Sequence, residues 1–84
     1  MKIVCVKWVD SISWDGWRNI NVKRYKVSAI NTVGFLVDEN EQRIMIAHSW
    51  SDQGHVHGLL AIPKGAIVKI KVIKTMKEKT NEDR

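Results

Sequence analysis

The chain has one cysteine, one proline, one phenylalanine and one tyrosine among its 84 residues. A lone cysteine, Cys5, has no partner for an intrachain disulfide, which argues against a stapled secreted scaffold. One cysteine and three histidines leave little material for a structural zinc site. No apolar run approaches the roughly 20 residues of a membrane-spanning helix. Met1 to Val9 carries two lysines inside an alternating pattern, unlike the apolar centre of a signal peptide. Glycines are few, and Gly16, Gly54, Gly58 and Gly65 form neither of the glycine-rich phosphate-binding patterns. No amphipathic helix of ten or more residues can be traced. The chain is thus expected in the reducing cytoplasm, away from membranes, with no cofactor and no metal.

What is present is a small basic domain. A chain this short buries only about 60–65% of the surface its unfolded form exposes, so one thin core is expected. Fourteen Lys+Arg against nine Asp+Glu give a net charge of +5. Residues 74–84 hold four bases and three acids, so most of the excess belongs to the folded body. Such a surface favours anionic partners.

The chain reads as five strands. Ile3 to Val9 is β-branched and aromatic, with Val4, Val6 and Trp8 on one face. Asp10 to Gly16 supplies turn residues. Residues 18–26 read equally as a helical turn or an irregular strand. Val27 to Val37 is a longer strand, in which Gly34 signals a bulge or a close backbone approach. Asp38 to Gln42 is a polar hairpin loop, and Arg43 to Ser49 the return strand. Trp50 to Gly54 is a second loop, followed by a strand over Val56 to Ile62. Pro63-Lys64-Gly65 predicts a tight turn or one turn of 3₁₀ helix before the last strand. The expected fold is all-β: a small antiparallel five-stranded barrel of SH3-like or Sm-like type over residues 1–73. Closure into a barrel would hide both sheet edges. Residues 74–84 read as a charged, mobile tail, or as a short helical extension. The expected core is Val4, Val6, Trp8, Phe35, Val37, Ile44, Ile46, Leu60, Ile62, Ile67, Ile70 and Val72.

Several segments, taken in order, resemble a group of small proteins encoded by tailed bacteriophages and prophages. They are Val6-Lys7-Trp8-Val9-Asp10-Ser11, Gly16-Trp17, Thr32-Val33-Gly34-Phe35-Leu36-Val37, and Ile62-Pro63-Lys64 followed by Ile67. The resemblance spans residues 3–73. It implies a phage gene acting in the cytoplasm of a bacterial host, and no catalytic residues. Small phage proteins of this size bind DNA, block a host protein, or sequester nucleotide signals of host immunity.

Three constellations bear on chemistry. Four tryptophans, Trp8, Trp14, Trp17 and Trp50, stand beside single Phe and Tyr residues. Trp8 reads as core. Trp14, Trp17 and Trp50 fall in loops, where they either plug the barrel mouths or stack on a base, with Arg18 pairing a phosphate. The basic run Lys23-Arg24-Tyr25-Lys26 suits a phosphate backbone, or else a solvated, lysine-protected edge. His48, His55 and His57 lack an orienting carboxylate at an obvious spacing, so neither a metal site nor general-base catalysis is expected.

The expected function is therefore non-enzymatic: capture of an anionic nucleotide-like ligand by Trp14, Trp17, Arg18, His48, Trp50 and Lys64. In the phage setting this would sequester an immune signal of the host. The alternatives are single-stranded nucleic-acid binding through Lys23, Arg24, Tyr25 and Lys26, and a protein-interaction domain. Assembly into a homo-oligomer remains open at this size.

Overall fold

Alternation with a period of two builds the sheet. In the computed structural model, which describes residues 1–13, 15–21 and 26–77, five strands follow in order. They are β1 (Lys2–Asp10), β2 (Ser28–Glu39), β3 (Arg43–Trp50), β4 (Val56–Pro63) and β5 (Ile67–Thr75). A 3₁₀ turn, Lys64–Ala66, links β4 to β5 as the Pro-Lys-Gly break predicts. All pairs are antiparallel, in the order β4-β3-β2-β1-β5. Residues 18–21 adopt neither helix nor strand. Strand β5 continues through Lys74 and Thr75, beyond the expected end of the body. There Met76 N–H donates to the Met1 carbonyl at 2.7 Å, and the Met1 amino group donates to the Met76 carbonyl at 3.0 Å. Residues 78–84, the rest of the expected tail, lie outside the described residues.

The sheet is curled, and chain length requires it. Pro63 and Ile67 are separated by three residues. Four steps of extended chain reach at most about 14 Å. In a flat sheet, β4 and β5 would stand four strand spacings apart, about 19 Å. Bulges help the sheet bend: β1–β5 shifts register at Ile3/Val4 and Lys7/Trp8, and β2–β3 shifts between Leu36 and Asp38. The curl brings Val4 and Val6 of β1 into one cluster with Ile44 and Ile46 of β3 and Ile62 of β4. Trp8, Leu36 and Ile67 pack against it.

The sheet does not close. β4 and β5 are its two edges and are not hydrogen-bonded neighbours. Bulges twist an edge and hinder further pairing, and β5 carries two of them. The open seam corrects part of the expected core. Ile70 and Val72 sit opposite Val6 and Val4 on the inner face, yet remain 41% and 48% exposed. Leu60 on β4 is likewise exposed. Phe35 and Val37 are corrected for a different reason. Gly34 pairs with Val4 on the inner face, so Phe35 points outward and Leu36 inward. Val37 falls in the register shift and is exposed.

Gly34 is a close-approach position. A Cβ placed there would meet the Ala47 carbonyl oxygen at 2.7 Å and overlap the Ile46 side chain. Gly34→Ala is therefore expected to cost about 1–3 kcal/mol through overpacking. Gly65→Ala, which meets open space, serves as the control. Chemical denaturation of both variants checks this, and equal midpoints would refute it.

Candidate functional site: the Trp50 end and the outer face

The β3–β4 loop is organised by one side chain. The Ser51 hydroxyl accepts the N–H groups of Gln53 and His55 at 3.3 and 3.2 Å. Ser51 N–H donates to the His55 carbonyl at 2.8 Å, and Gly54 N–H to the Ser51 carbonyl at 3.1 Å. Gly54 takes the left-handed φ of 83° that the reversal needs. The tight loop keeps Trp50 in the ladder, paired with Val56, rather than in a loop as expected. The half-buried Trp50 ring packs on Phe35, with centroids 6.1 Å apart and planes tilted by 52°. An open cleft of about 200 Å³ is lined by Ser49, Trp50, Ser51, His55, Val56 and His57. Its surface is mostly apolar. His48 is exposed beside it, its Nδ1 sharing a hydrogen bond of 2.7 Å with the Ser49 hydroxyl.

The β1–β2 connection leaves from the Asp10–Ser28 pair, in the direction in which β3 also ends. Asp10 pairs with Ser28, and Trp8, two residues earlier, pairs with Ile67 at the start of β5. Trp50 and Val56 close the β3–β4 ladder. The described part of the connection is exposed throughout. Trp17 is 101% exposed and Ile20 95%, so Trp17 does not plug a barrel mouth. Arg18 is exposed next to it. The loop is shaped locally: Gly16 has φ of 85°, and Asn19 Oδ1 accepts the Asn21 N–H at 2.9 Å. Trp14, Lys23, Arg24 and Tyr25 lie outside the described residues, and Lys26 is exposed.

Lys64 is not brought to the Trp50 cleft; its 3₁₀ turn lies instead against β1, just before Ile67. Pro63 pairs with Arg43, whereas Val56 pairs with Trp50, so Lys64 follows β4 at the opposite end of the β3–β4 ladder. Seven residues of strand separate the two ends, about 23 Å. Lys64 instead pairs with Glu39 at 3.0 Å, and its N–H donates to the Gln42 carbonyl at 2.9 Å. Beside it, Arg43 donates to Asp38 at 2.9 Å. That bond, aided by the Glu39 N–H, lowers the Asp38 pKa. The hairpin end thus holds two ion pairs, Arg43–Asp38 and Lys64–Glu39.

The outer face of β1 and β5 holds a feature that strand-by-strand reading misses. Ile3, Cys5, Lys7 and Val9 point away from the core face of Val4, Val6 and Trp8. Their partners on β5 are Lys74 for Ile3, Lys71 for Cys5 and Lys69 for Lys7. Cross-strand partners share a face. Lys7, Lys69, Lys71 and Lys74 thus form one exposed basic row. Lys69-x-Lys71 is visible in the sequence, but the pairing of the first strand with the last is not. Cys5 lies half-buried on this same face.

Among the described residues, no three His, Cys, Asp or Glu side chains cluster as metal ligands, and no helix is long and apolar enough to cross a membrane. Comparisons with protein-family models, curated proteins and solved structures gave no match.

Proposed function

We propose that this chain is a non-enzymatic binding protein that captures an anionic, ring-bearing ligand of nucleotide type at the Trp50 end of the sheet. The cleft between Ser49–Ser51 and His55–His57 carries this reading. Its mostly apolar surface suits one face of a ring, and a stacked base contributes about 1–3 kcal/mol. Trp17 and Arg18 lie on the β1–β2 connection, which leaves in the direction in which β3 ends. Trp17 offers a second indole, and Arg18 a planar fork for phosphate oxygens. His48 adds a polar neighbour. Lys64, engaged with Glu39 far along β4, is left out of the site. The resemblance to phage-encoded proteins supports a setting in bacterial cytoplasm, where capture of a nucleotide signal would blunt host defence.

We further read the curled sheet as an opened small barrel of SH3-like or Sm-like type. The strand order, the 3₁₀ link and the core shared across β1, β3 and β4 support that reading.

The test is tryptophan fluorescence titrated with a nucleotide panel. Saturable quenching by one nucleotide class is expected. Arg18→Ala should weaken binding about tenfold, the loss of one charge-assisted contact. Wild-type fluorescence indifferent to every nucleotide would overturn the proposal. A second reading, a protein-interaction domain, is favoured by the exposure of Trp17 and Ile20 on one loop. It would take first place if nucleotides fail.

A further inference from the structure

We infer that the outer face of β1 and β5 is a docking surface for the phosphate backbone of nucleic acid, formed by Lys7, Lys69, Lys71 and Lys74. It is distinct from the Trp50 cleft and does not rest on the nucleotide reading.

The first support is an arrangement that opposes stability. Lys7 lies directly across from Lys69 in the β1–β5 ladder. Like charges directly opposite each other on a sheet are destabilising. No acid lies among their cross-strand neighbours on this face. The β2 partners on that face are Phe35, Val33, Asn31 and Ala29. None of the four lysines has an ion-pair partner among the described residues.

Edge protection accounts for Lys69, Lys71 and Lys74 on the edge strand β5 but not for Lys7. Lysines are placed on edge strands to prevent pairing with other chains. Lys7, however, sits on β1, which is paired on both sides by β2 and β5. The opposite edge, β4, carries no Lys, Arg, Asp or Glu between Val56 and Pro63. Guarding edges with charge explains neither a lysine on the doubly paired β1 nor the uncharged β4.

Length then selects the partner. Lys69 and Lys74 are five residues apart along β5, a reach of about 17 Å. A single phosphate cannot touch the whole row, whereas a chain of phosphates can. Each lysine that neutralises a phosphate releases counterion. Four contacts predict a slope of log K against log salt of about −2.8 for a single strand. Between about 50 and 200 mM salt the affinity should fall roughly fifty-fold.

The experiment is fluorescence anisotropy with labelled oligo(dT), with a labelled duplex, and with anionic phospholipid vesicles added as competitor. Wild-type protein is compared with Lys7→Gln, Lys71→Gln and the double variant Lys69→Glu/Lys71→Glu. Each Lys→Gln change should reduce the slope by about 0.7 on oligo(dT). The double variant should bind tenfold or more weakly. Lys7→Gln should melt at or above the wild-type temperature, because it removes the opposed charge. The duplex arm distinguishes which form of nucleic acid supplies the phosphates. No binding of either form at low salt, or a slope unchanged by the variants, would overturn the inference. So would vesicles that displace oligo(dT) with the same lysine dependence. Mononucleotide quenching of tryptophan should be unchanged in these lysine variants, so the cleft and the row fail separately.

Discussion

Ile46→Asp is expected to unfold the domain. Ile46 is 2% exposed and sits at the centre of the cluster formed with Val4, Val6, Ile44 and Ile62. Removing a buried isoleucine of this kind costs about 2–5 kcal/mol from lost burial and the cavity left behind. A carboxylate without a partner adds a desolvation penalty of several more. A domain of this length has a total stability of about 4–13 kcal/mol. Far-UV circular dichroism should show loss of the cooperative melt. Acid should partly restore it. Burial raises the folded-state pKa of the introduced carboxyl, so its penalty is smallest below the unfolded value of about 3.9 and grows as pH rises through the folded pKa. Ile46→Val, at about 0.5–1.5 kcal/mol, is the control for packing alone. A wild-type melt for Ile46→Asp would mean that β3 faces the other way.

Trp8→Ala and Trp17→Ala are expected to behave as opposites. The Trp8 ring packs against the core cluster, and its indole N–H donates to Thr32 Oγ1 at 2.9 Å. Its removal takes away a large apolar contact and orphans the Thr32 partner, at about 3 kcal/mol or more. For a domain this small, that lowers Tm by roughly 12 °C or more. Trp17 is fully exposed, and substitutions at such sites stay within about 0.5 kcal/mol. Thermal melts of the two variants decide the matter. If Trp17→Ala melts as early as Trp8→Ala, the exposed loop in fact docks on the body, and Trp17 is not available to a ligand.

The alternation of Val4-x-Val6-x-Trp8 and Ile44-x-Ile46 was enough to place five strands and the centre of the core. A period of two puts such residues on one face whatever the strand pairs with. The same logic made Gly34 legible as a close approach. It failed at Phe35 and Val37, because parity depends on which residue of β2 faces Val4, and that is a register between distant segments. It failed at Trp50 because the Ser51 hydroxyl closes a shorter loop than composition suggests.

The candidate site divides in the same way. Trp17, Arg18, Trp50 and the histidines are visible as residue types. Which of them share an end of the sheet is a matter of strand direction. Lys64 falls out because the β3–β4 ladder places it at the hairpin end, where Glu39 holds it.

By itself, the sequence determined the number and type of strands, the 3₁₀ break after Pro63, the central core and the excess of positive charge. These follow from local periodicity, turn chemistry and counting, all of which act between near neighbours in the chain. Only the tertiary structure decided the open seam between β4 and β5, the inner side of β2, and the alignment of Lys7 with Lys69. The inner side of β2 depends on its register with β1, and the alignment of the lysines on β1 and β5 pairing across some sixty residues of chain. The register of such a pair is set by the core that both strands help to bury.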